Sequence, residues 1–190
     1  MDNNRLRQGR LFVVSAPSGT GKTTLCRLLV DEFGDISYSV SHTTRKPRPG
    51  EIHGKDYFFV THDEFERMIR SGELIEWAEV HGNYYGTSKR FVGDHLEKGG
   101  DILLDIDVQG ALNIVKSYPE AVTLFIMPPS RDALRTRLEK RGSDSPDVIE
   151  TRLCNAVNEM ESRGLYRHVI VNDNLETAKQ ELFSIIRSYR

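Results

Sequence analysis

The sequence has few of the features that mark secreted, membrane-spanning or metal-binding proteins. Its 190 residues include only two cysteines, Cys26 and Cys154, which lie far apart and outside any metal-ligand spacing. Structural disulfides are therefore not expected, and a reducing compartment, the cytoplasm, is predicted. The first ten residues lack the apolar run of a signal peptide, no stretch is apolar enough to cross a bilayer, and no histidine pair has the spacing of a zinc-binding helix.

A strong excess of one charge is also absent. With 26 basic and 28 acidic residues, the net charge is −2 at pH 7. Because nucleic-acid binders usually carry a net basic excess, no nucleic-acid partner and no membrane partner are expected, and any anion site must be local. The content of 38% hydrophobic and 28% charged residues is typical of one folded domain. It leaves the oligomeric state open, including a homo-oligomer.

Short apolar runs alternate with amphipathic stretches along most of the chain. This alternation predicts an α/β fold with a mostly parallel sheet. Buried strands are predicted at 11–15, 102–106, 123–127 and 169–171. Helices are predicted at 22–32, 88–98, 108–117, 131–140, 147–162 and 175–188, with both cysteines packing inside helices.

Two segments interrupt this rhythm. The first, 41–87, is predicted to be an inserted arm that begins with a basic, proline-rich turn at 44–50. It continues with an aromatic strand at 56–60, a helix at 63–71 and strands at 73–80 and 83–86. The second is an arginine-dense stretch, 131–152, which contains a turn signal at 142–146.

A glycine-rich loop follows the first strand and opens the first helix, as a phosphate-binding loop requires. It consists of Ala16, Pro17, Ser18, Gly19, Thr20, Gly21, Lys22 and Thr23. The glycines let successive N–H groups turn toward phosphate oxygens, and the helix adds its partial positive charge. Lys22 is expected to reach the β- and γ-phosphates of a nucleoside triphosphate, and the Thr23 hydroxyl to bind Mg²⁺. The loop alone leaves GTPase switches, motor ATPases and small-molecule kinases open. Ala16 departs from the usual glycine at this position, and an ordinary strand-to-helix turn is the alternative.

The proline-rich turn of the arm places two arginines three residues apart. Arg45 and Arg48 on a stiffened loop are expected to clamp one phosphate by bidentate hydrogen bonds. Tyr57 and Tyr85 are expected to add phenolic donors. The alternative is a solvated basic turn.

Two acids end the predicted strand 102–106. Because side chains alternate along a strand, Asp105 and Asp107 are expected to point to the same side at its carboxyl end, where open α/β sheets bind ligands. Buried carboxylates need a donor or a cation, so the pair predicts contact with a base edge, an arginine or hydrated Mg²⁺. A structural ion pair is the alternative.

A resemblance covers nearly the whole chain. The blocks that carry it are, in order, SAPSGTGKTT, SVSHTTRKPRPGE, GKDYFF, ELIEWAEVHGNYYGT, ILLDIDVQGA, MPPS and VIVNDN. Together they resemble the guanylate kinase family. The resemblance implies a P-loop nucleoside-monophosphate kinase fold, with a parallel-sheet core at 1–40, 90–130 and 165–190, a GMP-binding arm at 41–89 and a helical lid at 131–164.

The resemblance also implies site residues by position. The matching GMP set is Ser41, Arg45, Arg48, Glu51, Tyr57, Glu76, Tyr85, Gly86, Thr87, Asp105 and Asp107. On the ATP side the loop set extends to Thr24, Asn172 matches a position beside adenine, and Arg137, Arg141 and Arg152 match arginines on the transferring phosphates. Glu76 makes chemical sense independently, because a carboxylate can accept from both N1–H and the 2-amino group of guanine, and adenine offers neither donor. Arg131 and Arg135 remain unassigned, and a solvated helix face is expected for them.

These expectations combine into one reaction: transfer of the γ-phosphoryl group of ATP to GMP, with Mg²⁺, giving ADP and GDP in purine nucleotide metabolism. One rival is a kinase for AMP or a pyrimidine monophosphate, which Glu76 and Asp105 disfavour. Another is a catalytically inactive guanylate-kinase-like module that binds phosphorylated peptides through the same arm. Such modules typically have damaged P-loops, whereas Lys22 and Thr23 are present here.

Overall fold

The computed structural model describes residues 8–80, 82–142 and 145–190, with Arg141 described by its backbone only. Its strands are β1 (Leu11–Ser15), β2 (Ile36–Tyr38), β3 (His42–Thr43), β4 (Phe58–Phe59), β5 (Leu74–Val80), β6 (Asn83–Ser88), β7 (Asp101–Asp105), β8 (Val122–Met127) and β9 (His168–Val171). Its helices are α1 (Lys22–Glu32), α2 (His62–Arg70), α3 (Lys89–Glu97), α4 (Val108–Ser117), α5 (Arg131–Arg141), α6 (Pro146–Glu161) and α7 (Leu175–Ser188), with a 3₁₀ turn at Ser162–Leu165.

Backbone contacts divide the chain into two compact units. Unit 1 contains the described residues up to Phe12 together with Asp35–Leu104 and Gln109–Ala121. Unit 2 contains Val13–Gly34, Asp105–Val108 and Val122–Arg190. The prediction divides the chain differently, into a core, an arm and a lid, and that three-part division stays a prediction.

Unit 1 carries a small sheet of strand order β4-β3-β6-β5 and the parallel pair β2 and β7. In the small sheet β6 runs antiparallel to both β3 and β5. Helix α2 is fixed at its start by a capping box, because Thr61 and Glu64 bond to each other's backbone N–H. Its Phe65 is fully buried. In this sheet, strands β5 and β6 bring residues of the predicted GMP set into register.

Unit 2 contains the parallel pair β8 and β9, in which Ile126 is opposite Ile170. Helix α1 packs on α7. Helices α5 and α6 share an apolar cluster of buried residues: Leu134, Leu138, Ile149, Leu153 and Ala156. The arginine-dense segment is therefore a helix pair with its own apolar cluster, and its role as a lid stays a prediction.

The α/β class and the parallel-sheet core are confirmed, and most element bounds agree within a residue or two of the predictions. Strand β7 ends at Asp105 rather than at 106, so the alternation argument does not extend to Asp107. The aromatic strand is shorter than predicted, and β2 and β3 were not predicted, since two or three residues carry no periodicity. The prediction that both cysteines are packing residues holds for Cys26, which is buried, and is wrong for Cys154, which is exposed.

Among the described residues, no helix is both long and apolar enough to serve as a membrane span.

Candidate active site

The loop between β1 and α1 has the backbone of a phosphate cradle. Gly19 and Gly21 have φ values of 89° and 91°, a region that side chains with a Cβ rarely adopt. Neighbouring side chains also leave little room for a Cβ at either position. A Cβ on Gly19 would lie 2.9 Å from Leu138, and one on Gly21 would lie 2.7 Å from the amide nitrogen of Asn172. Backbone conformation thus favours glycine at both positions, and the neighbouring side chains of Leu138 and Asn172 would also have to shift to admit a Cβ.

The amino terminus of α1 differs from that of α2. Its N-cap residue, Gly21, offers no side chain, and its first turn contains no acid. By contrast, Thr61 and Glu64 bond to backbone N–H groups at the start of α2. The first N–H groups of α1 therefore have no capping side chain within the helix start, and its positive end suits an anion.

Lys22 is held at the start of α1 by two oxygen partners. Its Nζ lies 2.6 Å from Asp105 Oδ1 and donates to the Ile106 carbonyl at 2.9 Å. The Thr23 hydroxyl donates to the other oxygen of the same carboxylate, Asp105 Oδ2, at 3.3 Å. Asp105 therefore joins the lysine and hydroxyl that the sequence assigned to phosphate and Mg²⁺. Its predicted contact with guanine stays a prediction.

The Thr23 hydroxyl and the Asp105 carboxylate fit the oxygen chemistry that Mg²⁺ prefers. Among the described residues there is no group of three or more histidine, cysteine, aspartate or glutamate side chains that could hold a metal. Two neighbouring oxygen groups of this kind could hold an ion, directly or through water, whose other ligands are nucleotide phosphates and water.

Asn172 braces the loop from behind. It is 5% exposed, and its side-chain amide donates to the Thr20 carbonyl at 2.7 Å. The backbone carbonyl of Asn172 accepts a hydrogen bond from the Arg137 guanidinium at 2.8 Å. One residue therefore joins the P-loop to α5. Sequence reasoning placed Asn172 beside adenine and missed this brace, for which a buried amide directly after a strand was the only signal.

Two titratable residues near Lys22 were also missed. Burial raises the pKa of Glu159 to about 7, with Lys22 opposing and Asp107 adding to the rise. Burial also raises the pKa of Tyr166 to about 12. The Tyr166 ring is tilted against the Phe125 ring, with 4.9 Å between the ring centres. No sequence signal separates buried polar side chains such as these from solvated ones.

Unit 1 contains the predicted acceptor cradle. The Arg45 guanidinium lies 5.4 Å from the centre of the Tyr57 ring, and the Tyr57 and Tyr85 rings are 6.0 Å apart. The two terminal nitrogens of the Arg45 guanidinium, Nη2 and Nη1, donate to the Glu51 carboxylate at 2.8 and 3.0 Å. The structure thus gathers four members of the predicted GMP set. Arg48 is exposed, and its backbone N–H joins the same carboxylate at 2.7 Å.

The predicted guanine-reading residues lie on β5 and β6. Glu76 is 4% exposed and accepts a hydrogen bond from the Thr87 hydroxyl at 2.6 Å, in register across the two strands. Neighbouring Gly86 has a packing role, because a Cβ there would lie 2.9 Å from Phe65. Ser41 is buried at 7% exposure, and its carbonyl accepts from Phe58. Glu76 is thus a buried carboxylate that accepts a hydrogen bond from a hydroxyl on the neighbouring strand.

The remaining predicted residues are placed as follows. Asp107 is in unit 2, where its carbonyl accepts from Ser15 at 3.3 Å. Arg152 is half-buried on α6, and the Arg141 side chain lies outside the described part of the chain. Arg131 and Arg135 both pair with Glu150, so they tie α5 to α6. All three side chains are at least partly exposed, which fits the solvated helix face expected for the two arginines.

Comparison with known proteins gives the family. The guanylate kinase family model matches residues 8–189. A guanylate kinase from Geobacter sulfurreducens is 53% identical over 180 residues, which is 95% of this chain and 89% of that protein. One from Dechloromonas aromatica is 51% identical over the same shares of the two chains. The crystal structure of guanylate kinase from Anaplasma phagocytophilum aligns with a TM-score of 0.80 and 38% identity, covering 97% of this chain and 88% of that one. From the match along almost its full length, this chain belongs to the guanylate kinase family.

Proposed function

We propose that this protein transfers the γ-phosphoryl group of ATP to GMP, giving ADP and GDP, as a cytoplasmic enzyme of purine nucleotide metabolism. The observation that carries the proposal is the intact P-loop, in which Lys22 stands at an uncapped helix start with Asp105 as its partner. The likeness to proteins named guanylate kinase favours an enzyme over a binding module. The intact donor cradle favours the enzyme as well.

The chemistry needs no side-chain nucleophile. A GMP phosphate oxygen, already anionic at neutral pH, attacks the γ-phosphorus, and the bond to the β–γ bridging oxygen breaks so that ADP leaves. Negative charge spreads over the equatorial oxygens in this step, and positioned cations can accelerate it by about 10³–10⁵. We assign that task to Lys22 and to Arg137, Arg141 and Arg152, with P-loop amides orienting the donor.

Mg²⁺ belongs to this proposal as the partner of ATP. Thr23 would hold it directly, and Asp105 would accept from its water ligands. When bound, the ion neutralises phosphate charge and aligns the β- and γ-oxygens. Lys22 then has to leave or share its 2.6 Å contact with Asp105 to reach the same phosphates.

Selectivity for GMP over AMP is assigned to Glu76. Its carboxylate is buried and already holds one donor, Thr87. Guanine N1–H and the 2-amino group would supply further donors. Adenine offers neither of these donors, a mismatch that can cost about 10⁴–10⁵ in kcat/KM. Asn172, Asp107 and the other residues of the predicted sets remain assigned by family position.

The second candidate is an inactive module that binds phosphorylated peptides through Arg45 and the tyrosines of the arm. A phosphoryl-transfer assay with ATP and a panel of GMP, AMP, CMP and UMP separates the readings. We expect turnover with GMP far above the other three acceptors. Phosphopeptide binding without turnover on any of them would replace the enzyme by the module.

A further inference from the structure

One carboxylate in the predicted arm, that of Glu51, accepts hydrogen bonds from both arginines of the proline-rich turn. Glu51 Oε1 accepts from Arg45 Nη2 at 2.8 Å, and Oε2 accepts from Arg45 Nη1 at 3.0 Å. Oε2 also accepts the backbone N–H of Arg48 at 2.7 Å. A single side chain thus holds the guanidinium of the first arginine and the backbone of the second. Both residues belong to the predicted phosphate clamp.

This ion pair differs from the surface pairs of the same unit. The side chains of Arg45 and Glu51 are 14% and 19% exposed, whereas those of Arg70 and Glu66 on α2 are 67% and 49% exposed. The hydrogen bonds to Glu51 raise the pKa of Arg45. Partial burial raises the pKa of Glu51, but hydrogen bonds from Arg45 and Arg48 outweigh it and lower the pKa overall. Both charges are therefore maintained at neutral pH.

The pair fixes the orientation of the guanidinium plane. Arg45 Nη1 also donates to the Lys46 carbonyl at 2.7 Å, so at least three of its five N–H donors are used within the turn. The rings of Tyr57 and Phe59 flank the group at 5.4 and 5.8 Å. At most two N–H donors of Arg45 therefore remain for Tyr85, which also hydrogen-bonds to this arginine, and for an anion.

We propose that Glu51 is a positioning residue for the acceptor phosphate: it stays paired with Arg45 and holds the 45–51 turn, so that the remaining Arg45 donors meet the phosphate of GMP. This inference rests on the proposed function, because it concerns the same acceptor. The opposite role, a carboxylate plug that a phosphate must displace, would leave the Arg48 N–H without its partner. It would also free a turn that contains Pro47, Pro49 and a Gly50 with φ of 86°.

The two roles predict opposite signs. If Glu51 positions Arg45, Glu51→Gln should lower kcat/KM for GMP about 10-fold, and Glu51→Ala about 100-fold, with KM for ATP nearly unchanged. The loss should appear mainly as a higher KM for GMP. The control is Glu66→Gln, which removes an exposed partner of an arginine in the same unit and should change neither constant. Equal or tighter GMP binding in both Glu51 variants would overturn the inference in favour of the plug.

A double-mutant cycle tests whether Glu51 acts through Arg45. In an Arg45→Ala background, Glu51→Ala should lower kcat/KM for GMP less than 10-fold. The remaining loss would come from the bond between Glu51 and the Arg48 backbone. Full additivity would overturn the inference. If Glu51→Ala does not fold, Glu51→Gln keeps the shape and one acceptor oxygen and carries the same test.

The failure of the proposed function gives a different pattern. Wild-type protein that binds GMP in calorimetry without turning it over would refute the reaction, and GMP affinity would then replace kcat/KM in the same comparison of variants. Wild-type protein that does not bind GMP at all would overturn both proposals. Normal wild-type turnover with unaffected Glu51 variants would overturn the positioning role alone.

Discussion

The two predicted phosphate cradles of this chain differ in their donor groups: one uses backbone N–H groups and the other uses side chains. In unit 2 the donor cradle consists of backbone N–H groups, shaped by Gly19 and Gly21 with positive φ and braced by Asn172. In unit 1 the acceptor cradle consists of side chains, in which Arg45 is fixed by Glu51 and by aromatic rings. The first depends on what side chains are missing. The second depends on what side chains are present and on which partner holds each of them.

The difference teaches how each cradle tolerates change. A backbone cradle fails when a Cβ is added, while the side chains around it, apart from the phosphate-binding Lys22, can vary if they keep the shape. A side-chain cradle fails when a charge or its positioning partner is removed. Loss of function should therefore follow opposite rules in the two units, and the following experiments use that contrast.

The largest effect is expected for Lys22→Ala, which removes the side-chain charge of the donor cradle. We expect kcat to fall by about 10³-fold or more with the fold intact, because transition-state charge loses a fixed cation. Steady-state kinetics and circular dichroism measure the two properties. Lys116→Ala, on the exposed end of α4, is the control and should be silent. Near-normal turnover would remove the P-loop assignment.

The next effect is expected for Gly21→Ala, the sharpest test of a backbone cradle. Its φ of 91° and the 2.7 Å approach to Asn172 both oppose a methyl group, so the loop has to shift. We expect KM for ATP to rise about 100-fold, from a change that removes no functional group. Gly93→Ala is the matched control, because nothing lies within 4 Å of its Cβ on helix α3. It should leave KM unchanged and slightly stabilise the helix.

A smaller and more selective effect is expected for Glu76→Gln in unit 1. The amide keeps an acceptor oxygen but adds N–H donors that oppose those of guanine. We expect kcat/KM for GMP to fall about 100-fold and the preference for GMP over AMP to shrink by a similar factor. Kinetics with both acceptors give the ratio, and Glu79→Gln, exposed on the same strand, is the control. Unchanged discrimination would remove Glu76 from base reading.

The smallest effect concerns Glu159, close to Lys22. Its pKa of about 7 in the folded protein exceeds the ordinary value of 4.5, so the folded state binds a proton more readily than the unfolded chain. Stability is then full below about pH 4.5 and is lost as the pH rises through 7. After discount for its partial exposure, the loss is roughly 1–2 kcal/mol. Urea unfolding between pH 5 and 8 should show this slope in wild-type protein but not in Glu159→Gln. The exposed Glu161→Gln should keep it.

Much of this account is readable in the sequence because both cradles have local signals. The glycine spacing before Lys22 and the strand before it predict the P-loop, and α1 begins at the predicted residue. Apolar periodicity likewise gives α4 and α7 with their bounds, since these helices bury one face each.

The rest depends on contacts between residues far apart in the chain. The Asn172 amide reaches Thr20 across 152 positions, and no local pattern encodes that bond. The pairing of Lys22 with Asp105 and the burial of Glu159 have the same origin. Strands β2 and β3 are too short for periodicity and are stabilised by their neighbours, so tertiary pairing decides them.

The most direct test of the account is a crystal structure with GMP and a non-hydrolysable ATP analogue bound. The account predicts the GMP phosphate within hydrogen-bond distance of Arg45 and Tyr85 while Glu51 stays paired, and the ATP phosphates wrapped by the N–H groups of the loop that precedes Lys22. A GMP molecule bound away from Arg45, with that guanidinium turned toward bulk water, would contradict it.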